Sequence, residues 1–214
     1  MENENLDQNN IKSFQLVIAS KNIHKIREIK TILNEITPNI DLLSLIDFPK
    51  YIPPEETGES FADNANAKAI HAAKALNRWV ISDDSGLVIP ALNGEPGVFS
   101  ARYAGEKATD SENRKKLLSK LVDLSDKDLY AYFECCMAVA SPERLKKSVC
   151  AKCEGRIETQ ERGGGGFGYD PLFVKHDYNQ TFAQLKEAVK NKISHRRKAL
   201  DKIAITIESI QVTK

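Results

Sequence analysis

The chain has 214 residues and a mass of 23.9 kDa, enough for one compact unit with a sizeable core. Its composition, 41% hydrophobic and 29% charged, excludes a disordered chain. Thirty-one basic against thirty acidic residues, a formal net charge of +1, exclude a strongly basic duplex-binding protein and leave room for a local phosphate site. No apolar run approaches the roughly 18 to 20 residues that span a bilayer. The polar stretch Met1 to Asn10 lacks a basic segment leading into an apolar core. A cytoplasmic protein is expected, with residues 1–13 as a mobile tail and residues 14–210 as a single domain. The four cysteines, Cys135, Cys136, Cys150 and Cys153, are not needed as staples at this size, so reduced thiols are expected.

Phe14 to Ala19 is a short apolar run that ends at Ser20 and Asn22. Ile23, Ile26, Ile29, Ile32 and Leu33 then recur at helical spacing, giving strand, loop, helix. Arg27, Glu28 and Lys30 fall largely off the apolar stripe and are expected in solvent, while Lys25 in the first turn faces the loop. A helix start of this kind suits a phosphate. A second strand is predicted around Ile40 to Leu45. The loop after it carries Pro49, Pro53, Pro54, Glu55 and Glu56, where proline forbids regular structure. Ser60 is placed to cap an alanine-rich helix from Phe61 to Leu76, with Asn64, Lys68 and His71 on one face.

Trp79 to Ile81 reads as a short buried strand running into a turn at Ser82-Asp83-Asp84-Ser85-Gly86, with Leu87 to Ile89 apolar again. A polar helix from about Ser111 to Leu121 follows, then the longest strand, Tyr130 to Ala140, with Lys147 to Cys153 as its hairpin partner. Gly163 to Phe173 reads as a loop into a strand, and one helix is predicted from Phe182 or Ala183 through Ile203. Strands and helices alternate early and strands pair as hairpins later, so the fold class is α/β with a mixed sheet flanked by helices.

Adjacent acids at a strand end are costly unless a cation or hydrogen-bond donors compensate them, which singles out Asp83 and Asp84. Glu55 and Glu56 add hard oxygen donors from a separate loop, the usual way Mg²⁺ is held alongside substrate phosphates. Ser194-His195-Arg196 groups three hydrogen-bond donors late in the chain, within a lysine-rich segment. Gly163-x-Gly165-x-x-Gly168 matches the dinucleotide fingerprint in letters only, because Tyr169-Asp170-Pro171 follows where a helix would be needed. It reads instead as a small-residue loop that lets backbone amides, Phe167 and Tyr169 approach a planar ligand. A single Cys150-x-x-Cys153 is a poor zinc signal, since residues three apart on a strand point to opposite faces. No G-x-x-x-x-G-K-[ST] loop occurs, which disfavours a P-loop enzyme.

Six blocks, taken together and in order, resemble the inosine triphosphate pyrophosphatase family: Ser20 to Lys25 with Glu28; Glu55 to Phe61 with Asn64 and Lys68; Ser82 to Leu87; Pro96 to Gly105; Gly166 to Pro171; and Ser194 to Arg196 with Ala199 and Leu200. The resemblance spans about Ile18 to Leu200. It implies an elongated mixed-sheet α/β fold of two lobes with a central cleft, a homodimer, and Mg²⁺-dependent cleavage of ITP, dITP and XTP to the monophosphate and pyrophosphate. It places metal ligands on Glu55 and Asp84 and the proton acceptor on Asp84. It also assigns the triphosphate loop to Ser20, Lys21, Asn22, Ile23, His24 and Lys25, and a further contact to Ser85. The base-binding segment falls on Phe167, Gly168, Tyr169 and Asp170, and the remaining contacts on Lys190, His195 and Arg196. Lys21 and His24 stand where the family often has glycine, and Pro90 where it often has an acid. The partner is thus expected to be a small-molecule nucleotide, with no nucleic acid and no membrane. A nucleotide-binding regulator and a pyrimidine nucleotide hydrolase are the alternatives.

Overall fold

The computed structural model describes residues 14–122, 124–125 and 129–212, so the tail expected over residues 1–13 lies outside them. Six strands form one mixed sheet in the order β2-β1-β3-β4-β5-β6. They are β1 (Phe14–Ile18), β2 (Ile40–Ser44), β3 (Val80–Val88), β4 (Tyr130–Ala140), β5 (Leu145–Ile157) and β6 (Phe173–Lys175). β1 lies parallel to both β2 and β3, and the remaining pairs are antiparallel. Five helices flank the sheet: α1 (Ile23–Ile36), α2 (Phe61–Leu76), α3 (Asp110–Leu121), α4 (Glu187–Ile193) and α5 (His195–Val212).

The alternation of side chains along β3 and β4 divides the core. Ile81, Cys135, Met137 and Val139 pack with α1 and α5 on one face, where Leu87, Ala131 and Phe133 continue into a second cluster with α3, Phe173 and Phe182. Val80, Cys136, Ala138 and Ala140 meet the alanines of α2 on the other. The two clusters on the first face are the cores of two lobes.

Three expectations change. Asp83 to Ser85 do not form a turn: β3 runs unbroken for 9 residues, pairing Asp83 with Met137 and Asp84 with Cys136. The strand tolerates its polar centre because both acids find partners from the helices on either side. Gly86 keeps it flat against the neighbouring segment, since a Cβ there would lie 2.3 Å from Ser100 Oγ and 2.7 Å from the Gly97 carbonyl. The predicted last helix starts later, at Glu187, ends later, at Val212, and is two helices, because Ser194 leaves helical geometry with φ −70° and ψ 162° and the chain restarts at His195. Cys136 and Cys150 stand opposite one another in the β4–β5 ladder and form a disulfide, contrary to the expected thiols, while Cys135 and Cys153 are free and buried.

Candidate active site

β1 accompanies β3 only at Val80 and Ile81, and past Ala19 the chain turns away into α1. Beyond that point β3 has no strand on this side, and a cleft of about 330 Å³ opens along its free edge. Side chains from both faces of β3 can therefore reach one cavity: Asp83, Asp84 and Ser85 all line it. This is the switch point of the sheet, the place where ligands enter open α/β structures.

Ser20, Lys21, Asn22 and Lys25 line the cleft from the α1 side. Asn22 caps α1, its side chain accepting from the amides of His24 (2.9 Å) and Lys25 (3.2 Å), and Ser20 Oγ accepts from the Asn22 amide (3.1 Å). With these amides engaged, the loop offers an anion the helix dipole and the ammonium groups of Lys21 and Lys25. Ile23 and His24 are not in the lining: Ile23 is exposed, and the His24 ring stacks on Phe167 with centroids 5.2 Å apart.

On the α1 and α5 face of β3 lies a buried ionic network. Arg196 donates to Asp83 (3.0 Å), to Ser85 Oγ (2.9 Å) and to Glu28. Lys190 joins Glu28 (2.7 Å) to Asp170 (2.5 Å), and Lys25 lies 3.3 Å from Asp83. Glu28, expected in solvent, is 5% exposed. It lies one turn from Lys25, and the network draws it inward where an apolar stripe would not. Burial alone would raise the carboxyl of Asp83, but Lys25 and Arg196 overcome it and hold it far below the usual carboxylate range. Arg196 and Lys190, expected to touch a nucleotide, are thus first the counter-ions of buried acids. His195 stacks on Phe133 at 4.7 Å, and burial, with the charges of Arg196 and Lys190, pushes its pKa well down, so the imidazole is neutral.

Asp84 faces α2. Asn64 donates to its Oδ2 (3.1 Å) and Lys68 to its Oδ1 (3.1 Å), and the same ammonium reaches Glu56 Oε1 at 2.8 Å. Burial raises the Asp84 carboxyl, and the charges of Glu56 and Asp83 push the same way against Lys68 and Lys25. Glu56, not Glu55, stands beside Asp84 and lines the cleft, while Glu55 is exposed. Adjacent residues of an extended loop point to opposite sides, so only one of the two could face inward. Arg102, from the other lobe, also donates to Glu56, at Oε2 (3.4 Å) and at its carbonyl (3.2 Å). The sequence offers Glu56 with Glu55 as a hard oxygen donor, whereas Asn64 and Lys68 stand in the sequence blocks without an assigned role. The spacing of Asn64 and Lys68, one helical turn apart, was the signal for a shared target.

The loop at Phe167–Asp170 closes the far end. Gly168 is held on both sides of its peptide unit, its amide donating to Asp110 (2.6 Å) and its carbonyl accepting from Arg114 (2.9 Å). Tyr169 Oη donates to the Ser100 carbonyl (2.9 Å), and Asp170 accepts from the Phe167 amide (2.9 Å). Gly166 sits at φ +70°, where a Cβ would strike the Asp170 carboxylate at 2.1 Å. Asp110 and Arg114, one turn apart on α3, had no site signal in the sequence.

Residues 16–205 match the Ham1 family. The chain belongs to the Ham1 family. It is 52% identical over 198 residues to the dITP/XTP pyrophosphatase of Protochlamydia amoebophila, covering 92% of this chain and 99% of that protein. It is 51% identical over 197 residues to the dITP/XTP pyrophosphatase of Chlamydia abortus, covering 92% and 95%. The Ham1 protein structure from Coxiella burnetii superposes with a TM-score of 0.80 at 39% identity, over 92% of this chain and 99% of that one. That from Staphylococcus aureus gives 0.79 at 41% identity, over 91% and 98%. These Ham1 relatives share the mixed sheet with flanking helices that forms the cleft. Among the described residues, no helix of this Ham1 chain is long and apolar enough to cross a membrane.

Proposed function

We propose that the protein is a nucleoside triphosphate pyrophosphatase that converts ITP, dITP and XTP to the nucleoside monophosphate and pyrophosphate with Mg²⁺. The observation that carries this reading is a pair of cleft carboxylates, Asp84 and Glu56, sharing one cation beside the cationic start of α1, in a chain about half identical to dITP/XTP pyrophosphatases. Acids aimed at a polyanion site repel the phosphates unless a cation stands between them. Their hard oxygens already bracket a positive charge, the Lys68 ammonium, so the donor set fits Mg²⁺. When bound, the metal would neutralise triphosphate oxygens and favour ionisation of the attacking water. Glu55, exposed in this structure, fits this role less well than Glu56.

Asp84 is the group to accept the water proton. Its raised carboxyl makes it a better base than an ordinary aspartate, and Asn64 fixes one of its oxygens. Lys25 and Lys21 stabilise charge developing on the triphosphate. At the base end, Arg196 Nε and His195 Nδ1 are buried and have no hydrogen-bond partner in the protein. A 6-oxopurine presents an acceptor at position 6 and a donor at N1, where adenine reverses both. Donors such as Arg196 Nε then leave an adenine ring unpaired, a large source of discrimination. A homodimer belongs to the same reading and is checked by sedimentation.

The test is pyrophosphate release from ITP, XTP, dITP, GTP, ATP and CTP, with Mg²⁺ and with chelator. Metal-dependent release confined to the inosine and xanthosine nucleotides is the expected result. Binding without release would make the protein a nucleotide sensor, and release from CTP would move it to pyrimidine substrates.

A further inference from the structure

Resting on the reading that Asp84 and Glu56 receive a divalent cation, we propose that Lys68 is the resident counter-cation of that site and keeps bare metal ions out of the empty cleft. Lys68 is a positioning residue in this role. Its Nζ lies 2.8 Å from Glu56 Oε1 and 3.1 Å from Asp84 Oδ1, and its side chain is only 13% exposed. Asp84 and Glu56 would hold a divalent ion through the oxygens that hold the ammonium, so ion and ammonium would exclude one another.

Among the described residues, Lys68 is the cation that contacts both carboxylates. Asp83 is committed to Lys25 and Arg196 on the opposite face of β3. Glu56 keeps its second oxygen on Arg102, and Asp84 keeps its second oxygen on Asn64, so neither carboxylate is left adrift when the ammonium departs. With Arg102 counted on Glu56, the cluster is neutral while Lys68 is in place and carries a net −1 without it, so loss of the ammonium leaves negative charge for a cation to fill. A bare ion must break both ion pairs and offers the freed ammonium no anion. A metal carried on a triphosphate brings the anionic oxygens to which that ammonium can pair. The cleft is therefore built to admit the metal–nucleotide complex in preference to the free metal.

The experiment is Mn²⁺ titration of the nucleotide-free protein, followed by the loss of the free-ion electron paramagnetic resonance signal, for wild type and for Lys68→Met, Lys68→Gln and Lys68→Arg. Removing a unit charge this close is expected to tighten Mn²⁺ binding at least about tenfold in the Met and Gln variants, with Arg remaining like wild type. Thermal melts run alongside show that each variant is folded, and a damaged structure would not gain affinity. Binding gained by Lys68→Met should vanish when Asp84→Asn is added. If neither the Met nor the Gln variant binds Mn²⁺ more tightly than wild type, while Asp84→Asn weakens wild-type binding, the counter-cation role alone is overturned. If Asp84→Asn leaves binding intact in both backgrounds, the metal lies elsewhere and the underlying reading falls with it.

Discussion

On the face of β3 that meets α1 and α5, Asp83 is held far below the usual carboxylate range by Lys25 and Arg196; on the face that meets α2, its neighbour Asp84 is raised by burial, with Glu56 and Asp83 adding to the shift. The two acids are chemically identical and consecutive, and the pleat sends them to opposite sides of one sheet. The first has two cations at 3.0 and 3.3 Å and joins a network that ties the two lobes together. The second lines the cleft, shares a single ammonium with Glu56 and accepts from the Asn64 side-chain amide at its other oxygen. A carboxylate balanced by two cations is a structural element, whereas one that shares a single cation with a second acid is available to take a proton or a metal.

The largest way to break this contrast is Arg196→Met, which leaves Asp83 and Glu28 charged and buried without their shared partner. Removing one member of a buried ion network costs about 3–5 kcal/mol. At about 2–4 °C per kcal/mol for a chain of this size, the melting temperature should fall on the order of 10 °C. A thermal melt within about 2 °C of wild type would show that the network contributes little.

Asp84→Asn should do the reverse. Loss of a positioned base lowers kcat by about 10²–10⁴-fold, while the fold keeps its stability or gains slightly. Turnover within tenfold of wild type would remove Asp84 from the chemistry.

The pH dependence of stability sharpens the comparison with opposite signs. For Asp83, lowered in the folded state, the stabilisation is present above the unfolded carboxyl pKa of about 3.9 and is lost as pH falls toward the folded value. For Asp84, raised in the folded state, stability is greatest below about pH 3.9 and declines as pH rises through the unfolded value toward the folded one. Urea midpoints should therefore show Asp84→Asn gaining on wild type as pH rises from acid to neutral, while Asp83→Asn loses ground over the same range. Parallel curves for the two variants would contradict the assignment.

The smallest effect is expected from Asp110→Ala, which frees the Gly168 amide. One hydrogen bond of about 0.5–1.5 kcal/mol should raise KM for ITP about two- to tenfold with kcat unchanged. An unchanged KM would show that Asp110 does not hold the base loop in its working position.

Much of the fold was legible in local patterns. The helical spacing of Ile26, Ile29, Ile32 and Leu33, the Ser60 cap and the apolar run Tyr130–Ala140 each depend on neighbours in sequence, and each element appears where it was expected, although β5 with 13 residues is longer than β4 with 11. Six sequence blocks also marked most of the cleft. What stayed hidden depends on distant partners. Glu28 read as a solvated helix residue because its cations come from α4 and α5, more than 160 positions away. Asp83-Asp84 read as a turn because isolated acids break strands, yet Arg196 and Lys68 make them strand residues. That Glu56 lines the cleft while Glu55 is exposed follows from the direction of an extended loop, which composition does not encode.

The sequence alone therefore determined the fold class, the membership suggested by its blocks and the roster of polar residues around the cleft, since periodicity, capping and spacing act over one or two turns of chain. Only the tertiary structure decided which acid is balanced by two cations and which shares one with Glu56, because that depends on which face of β3 each side chain occupies and on cations delivered by helices remote in sequence. At distances near 3 Å in a low-dielectric interior, those deliveries outweigh any local propensity.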